Sequence, residues 1–291
     1  MNYHLIFLTA LTTATAAFGK TIPNYAEASL VLGQVDFTSK LKPIPPSAAS
    51  LNFPSSVIVD PVTRRVFVAE EGNNRILRYA SADALANGAA AEVVFGNENF
   101  TSIAPSATAA KMNQPYGAWI TPDDSLWVAD SKNNRLLRFN NASTKPSGAA
   151  ADGVLGQPDF TSSLAATTRR GMDYPYIRPF VDGTGSLWIA EQNNHRVLRF
   201  SPDATPPLLT VTAPAKVTKK LKLRIKGTAT DTYGIAKVEY RLGKGPLRLA
   251  TGTTAWSFKV KLRKGKNTLT ILATDVDGIP SLRQIIKITR K

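Results

Sequence analysis

The chain has 291 residues, 43% hydrophobic and 20% charged, which is enough for packed cores and, at about 150 residues per domain, for two of them. It has no cysteine, which excludes disulfides, thiolate metal sites, iron–sulfur clusters and cysteine nucleophiles; its two histidines, His4 and His195, are too few for a catalytic zinc site built from several imidazoles. The net charge of +15 resides wholly in Ala204–Lys291, where 19 Lys/Arg stand against 4 Asp/Glu, while the first 203 residues hold 17 of each sign.

Met1–Gly19 carries no Lys, Arg, Asp or Glu and an apolar stretch from Leu5 to Phe18, with small residues at Ala14 and Ala16 or Ala17 and Gly19. This predicts a signal peptide over residues 1–19 and a secreted, periplasmic or cell-surface protein, although the amino terminus is the only sure positive charge before the apolar stretch. The stretch is too short to span a bilayer of about 30 Å, and no later segment is apolar enough, so no transmembrane span is expected.

Residues 20–200 are built on a repeat near sixty residues. Three segments begin Leu51-Asn-Phe-Pro, Met112-Asn-Gln-Pro and Met172-Asp-Tyr-Pro, with Pro54, Pro115 and Pro175 spaced 61 and 60 apart. Each continues with a strand ending in an acid: Phe67-Val-Ala-Glu70, Trp127-Val-Ala-Asp130 and Trp188-Ile-Ala-Glu191. A polar turn then leads into Asn73-Asn74-Arg75-Ile-Leu-Arg-Tyr79, Asn133-Asn134-Arg135-Leu-Leu-Arg-Phe139 or Asn194-His195-Arg196-Val-Leu-Arg-Phe200. Gly72, Lys132 and Asn193 precede these strings; Gly and Asn there tolerate the left-handed conformation that a tight turn can demand, and Lys132 does so less readily. A further motif comes before each unit: Val31-Leu-Gly-Gln-Val-Asp-Phe-Thr-Ser39, Val94-Phe-Gly-Asn-Glu-Asn-Phe-Thr-Ser102 and Val154-Leu-Gly-Gln-Pro-Asp-Phe-Thr-Ser162. Short strands between Asp/Asn/Gly turns predict one antiparallel meander per repeat, each needing a neighbour to cover its face.

At these residues the chain resembles the NHL-repeat family of β-propellers, over about Ala28 to Phe200, in the form seen in secreted bacterial proteins. The resemblance implies four-stranded blades in which Glu70, Asp130, Glu191, Asn73, Asn133 and Asn194 brace neighbouring strands. Rings of this family have five or six blades, and three are too few to close one. The Val31–Phe37 strand stands before the first repeat and none follows the third. It is therefore expected to pair with the third blade of a second copy, giving a homodimer with a shared six-bladed ring; an open three-blade arc and a fragment of a once longer gene are the alternatives.

Propeller ligands sit near the innermost strands, here Ser56–Val59, Gly117–Ile120 and Ile177–Phe180. Arg178, with Tyr116, Trp119, Tyr174 and Tyr176, forms a candidate site there for a protein, sugar-like or anionic ligand. Alternatively the aromatics pack between blades. Relatives of this fold include an amidating lyase and calcium-dependent lactonases, whose histidines or carboxylates surround the channel. His195 occupies a turn position shared with Asn74 and Asn134, and no catalytic residue is assigned.

Residues 201–207, Ser-Pro-Asp-Ala-Thr-Pro-Pro, read as a linker. Residues 208–291 then show seven strands, Leu208–Thr212, Lys220–Thr228, Ile235–Leu242, Leu247–Ala250, Trp256–Leu262, Thr268–Ala273 and Leu282–Thr289, a pattern that predicts a β-sandwich. Through Gly227-Thr-Ala-Thr-Asp231, Gly234-Ile-Ala-Lys-Val238, Gly265-Lys-Asn-Thr-Leu269 and Ala273-Thr-Asp-Val-Asp277 this part resembles bacterial immunoglobulin-like domains. Alternation places Lys220, Lys222, Arg224 and Lys226, and likewise Lys259, Lys261 and Arg263, on outer faces. Such a surface suits anionic envelope polymers, without the aromatic interleaving of sequence-specific nucleic-acid binding. Asp231, Asp275 and Asp277 are expected in loops at one end, where they either hold Ca²⁺ or serve as ordinary turn residues; no other cofactor is expected.

The sequence thus predicts an all-β chain, a partial three-blade NHL-type propeller followed by an immunoglobulin-like β-sandwich. The function expected of it is that of an exported, non-enzymatic binding or scaffold protein. The alternative is a propeller-type lyase or lactonase acting in the channel of an assembled ring.

Overall fold

A computed structural model describes residues 21–212 and 214–291; the predicted signal peptide lies outside them. The chain is all-β, with 19 strands in five sheets among the described residues. It divides into two compact units, one of residues 21–182 and Leu187–Arg199, the other of Gly183–Ser186 and Phe200–Lys291.

The first unit holds three antiparallel meanders, one for each sequence repeat. The first runs β1 (Pro54–Val59), β2 (Arg65–Glu70), β3 (Arg75–Ser81) and β4 (Val93–Phe95). The second runs β5 (Pro115–Ile120), β6 (Leu126–Asp130), β7 (Arg135–Phe139) and β8 (Gly153–Leu155). The third has β9 (Pro175–Val181), β10 (Leu187–Glu191) and β11 (Arg196–Phe200), and stops at three strands. The expected Val31–Phe37 strand is not formed. Only its first residues correspond to β4 and β8, and Gly33, at φ +84°, turns the chain where Gly96 and Gly156 also turn it. The left-handed residue of the second turn is also not Gly72, Lys132 or Asn193. It is two positions later, at Asn74, Asn134 and His195, with φ of +56°, +53° and +51°. At the first two positions asparagine suits that conformation.

Alternation gives each meander two apolar faces, so each needs a neighbour on both sides. The face of the first sheet bearing Ile58, Phe67, Ala69 and Ile76 shares a core with Ala118, Ile120, Leu126, Val128 and Leu137 of the second. The opposite face, with Val66, Val68, Leu77 and Tyr79, is partly covered by Leu32, Leu51 and Leu85. The first strands β1, β5 and β9 are neighbours in that order. Gly117 permits the closest approach, since a Cβ there would lie 2.4 Å from the carbonyl of Ile177.

In the second unit, β12 (Leu208–Val211), β14 (Lys222–Thr230) and β17 (Ala255–Lys261) form one sheet in the order 12-14-17. The other runs 13-19-18-15-16, from β13 (Val217–Thr218), β15 (Ile235–Leu242), β16 (Arg248–Leu249), β18 (Gly265–Asp275) and β19 (Gln284–Arg290). Their inward residues, among them Leu209, Ile225, Tyr240, Trp256, Phe258, Leu269 and Ile288, make a single core, which is a β-sandwich. The two-residue β13, parallel to β19, is too short for any periodic signal. No helix among the described residues is long and apolar enough to cross a membrane.

Candidate functional site

The acid, asparagine and arginine of each repeat form a buried brace. Glu70 accepts from the Asn52 N–H at 2.8 Å, from Asn73, and from Arg75 Nε at 2.7 Å. Asp130 repeats this with the Asn113 N–H at 2.7 Å, Asn133 at 2.9 Å and Arg135 at 2.7 Å. Glu191 does so with the Asp173 N–H at 2.7 Å, Asn194 at 3.0 Å and Arg196. Burial pushes the Glu70 and Asp130 carboxyls up, against the pull of Arg75 and Arg135. These acids are committed to holding the turn that follows them.

The second asparagine of the pair was read only as a turn residue, yet it joins one sheet to the next. Asn74 Oδ1 accepts the N–H of Gln114 at 2.8 Å while its Nδ2 donates to the Ile103 carbonyl at 2.8 Å. Asn134 does the same with the Tyr174 N–H at 2.8 Å and the Ser163 carbonyl at 2.9 Å. The recipients precede the repeat prolines and are left-handed, Gln114 at φ +50° and Tyr174 at +51°. The constant spacing of 40 residues between bonded partners was the available signal.

All five residues of the aromatic–arginine candidate lie together. The Tyr116 ring is 4.6 Å from Tyr176 and 6.1 Å from Tyr174, and Tyr174 stacks on Tyr176 at 6.2 Å. The Arg178 guanidinium carbon is 4.7 Å from the centre of Trp119, whose other neighbour is Phe180 at 5.3 Å. Trp119 Nε1 is buried without an acceptor among the described residues. Tyr116, Tyr176, Ile177 and Arg178 line a cleft of about 360 Å³ with Phe53, Ser55 and Glu71. Tyr116 is pushed up to about 12, first by desolvation and then by the Glu71 carboxylate it meets. The cleft offers ring faces, the Arg178 guanidinium, which makes no ion pair among the described residues, and the Glu71 carboxylate, a set with the chemistry to stack on and hydrogen-bond a sugar or a planar anion.

Five of the seven basic candidates share the outer face of the β14–β17 pair. Lys222 lies directly opposite Lys261 and Arg224 opposite Lys259, with Lys226 continuing the row; all five are exposed. Lys220 and Arg263 fall just outside the strands. Among the described residues no acid forms an ion pair with any of the seven, and the second unit's one ion pair is Lys237–Glu239 at 3.1 Å.

The acidic candidates need correction. Asp231 and Asp275 do converge, but with Asp203, each offering an oxygen within 4.8 Å of the others. Asp277 lies outside this group, exposed in the turn, where its N–H donates to Asp275 Oδ1 at 3.0 Å. Asp275 is buried, and its Oδ2, like Asp203 Oδ2, is enclosed without a donor among the described residues. Three carboxylates this close repel one another, and a hard cation with oxygen ligands relieves that repulsion. Asp203 was passed over because it lies in the Pro-rich stretch read as linker.

No family model and no curated protein matches the chain. Among solved structures it is similar to fibronectin(III)-like modules of Clostridium thermocellum CbhA, 24% identical over 29% of this chain and 97% of that one, at a TM-score of 0.24. It is also similar to the extracellular domain of BT4673 from B. thetaiotaomicron, 14% identical over 82% of this chain and 30% of that one, at 0.31. A streptogramin B lyase is 10% identical over 81% of this chain and 68% of that one, at 0.29.

Proposed function

We propose that the protein is an exported, non-enzymatic binding protein. In this reading the three meanders are NHL-type propeller blades presenting the aromatic–arginine cleft to a glycan or anionic ligand. The C-terminal immunoglobulin-like sandwich docks on anionic envelope polymers, and Asp203, Asp231 and Asp275 hold a Ca²⁺ that fixes one end of that sandwich.

The observation that carries the reading is the opposition of Lys222 to Lys261 and of Arg224 to Lys259. Like charges directly opposite on neighbouring strands destabilise a sheet, and among the described residues no acid pairs with these. A polyanion along the strands would turn that repulsion into attraction, releasing its condensed counterions.

The test is retention of the full chain on immobilised alginate, a polyuronate, as salt is raised. Affinity is expected to fall steeply with salt. Lys222→Glu with Lys259→Glu should lower it at least tenfold and flatten the salt dependence. Unchanged binding by that folded variant would overturn the reading.

A further inference from the structure

The three Gly-x-x-Asp/Asn-Phe-Thr-Ser segments adopt one local shape. Gly33, Gly96 and Gly156 stand at φ +84°, +85° and +89°. Asp36, Asn99 and Asp159 each accept the backbone N–H groups two and three residues further on. Gln34 and Gln157 each donate to the carbonyl seven residues on, Leu41 and Leu164, at 2.8 Å. Val31 and Val94 are also seated alike on the sheet that follows. Their carbonyls accept from Gly88 and Gly148 at 3.0 Å, and their N–H groups donate to Asn87 Oδ1 and Ser147 Oγ.

Two of these segments complete the sheet before them. Val94 lies opposite Leu77, and Val154 opposite Leu137. The carbonyls of Phe100 and Phe160 accept from Arg75 and Arg135, while those of Ile103 and Ser163 accept from Asn74 and Asn134. Among the described residues, the 31–41 segment has no sheet before it, and the third sheet has no such segment after it.

The exposed surface matches this imbalance. Val197 is 63% exposed, where its equivalents Ile76 and Leu136 are 0% exposed. The Arg196 side chain is 26% exposed, where those of Arg75 and Arg135 are 0% exposed. Trp188 is exposed where Phe67 is buried. At the opposite end of the stack, Val57 and Val59 are exposed where Ala118 and Ile120 are buried.

We propose that a second copy of the chain fills both ends reciprocally. Residues 30–32 of one copy add a fourth strand to β11 of the other, with Val31 opposite Leu198 and Leu32 opposite Val197. The Phe37 carbonyl then caps Arg196. His195 takes the place of Asn74 and Asn134, between the Lys40 carbonyl and the N–H of Phe53. Each copy carries one donor segment and one acceptor edge, so a two-fold pair satisfies both and closes six sheets into a ring. The inference stands independently of the anionic-polymer reading, since it involves no residue of the basic face.

The test is light scattering on a sizing column with the full chain, together with cysteine pairs introduced into this cysteine-free sequence. Val94 turns its N–H and carbonyl toward the following sheet, so Val94 and Leu77 form a non-hydrogen-bonded pair. Such pairs bring Cα atoms to about 4.5 Å, within disulfide range. Val31→Cys with Leu198→Cys should therefore oxidise to a covalent dimer, while Val31→Cys with Val197→Cys, whose side chains leave opposite faces, should not. Leu77→Cys with Val94→Cys should close within one chain, as a check on the geometry. A dimeric mass with the matched crosslink is the expected result. A monomer at high concentration, a dimer that crosslinks only in the mismatched pair or not at all, or a ladder of longer crosslinked species would each overturn the reciprocal pair.

Discussion

Asn134 Oδ1 accepts the backbone N–H of Tyr174 at 2.8 Å, reaching from the turn of one sheet to the entry of the next. The same side chain donates to the Ser163 carbonyl at 2.9 Å, so one residue joins its own turn, the following loop and the following sheet. Asn134→Ala removes both bonds and places alanine at a left-handed position. Net losses of about 1 kcal/mol per hydrogen bond and 1–2 kcal/mol for the backbone predict a destabilisation of about 3–4 kcal/mol. Asn134→Gly, which keeps the backbone freedom, should cost about 2 kcal/mol. Urea unfolding of the two variants separates the contributions, and equal losses would contradict the assignment.

Gly117 governs how near β9 comes to β5. A methyl group there meets the Ile177 carbonyl carbon and oxygen at 2.4 Å and the Arg178 nitrogen at 2.5 Å, all backbone atoms that cannot rotate away. Gly117→Ala should destabilise the chain by about 1–3 kcal/mol through overpacking. It should also displace Arg178 from Trp119, which tryptophan fluorescence would report.

Tyr116 keeps its proton to about pH 12, because desolvation and then Glu71 both oppose the phenolate. Its folded value is raised, so its contribution to stability is complete below the ordinary tyrosine value of about 10 and is lost as pH rises through about 12. Absorbance titration at 295 nm should show a late component, shared with the buried Tyr79 and with Tyr174, that Tyr116→Phe reduces by one tyrosine. Glu71→Gln should shift that component downward.

Calcium should raise the melting temperature of the full chain, since a ligand that binds only the folded state stabilises it by mass action. Asp275→Asn should abolish most of the shift, while Asp277→Asn, outside the group of three carboxylates, should leave it intact. Magnesium, which demands a tighter octahedron of ligands, should raise it less. Loss of the shift in Asp277→Asn as well as in Asp275→Asn would instead restore the sequence-based set of Asp231, Asp275 and Asp277.

Strands and their faces were legible because burial follows a period of two, as in Lys222–Thr230 and Ala255–Lys261, where charged and apolar residues alternate. The five-membered aromatic–arginine cluster was legible for a related reason: repeats place equivalent residues in equivalent positions, so Arg178 and Pro179 stood out against Val57 and Ile58, beside the aromatics that flank the same prolines. Contacts between distant residues were not legible in this way. Nothing local to Asp203 links it to Asp231 and Asp275, because only the sandwich topology brings the interdomain stretch beside two loops. Nor does an Asn-Asn turn reveal that its second member serves the next sheet. The sequence of Val31–Phe37 matches Val94–Phe100 and so predicts a strand, but pairing needs a neighbouring edge, and among the described residues of one chain that segment pairs with none.

The row of opposed cations on β14 and β17 couples ionic strength to this protein in two opposite senses. Screening shortens the reach of each charge to about 8 Å at physiological salt and to about 3 Å at 1 M, so brine relieves the strain between Lys222 and Lys261. The sandwich should therefore grow harder to unfold in concentrated salt, whereas the polyanion binding proposed for the same face should weaken. Dilution should do the reverse, raising the folded-state strain and strengthening the proposed binding.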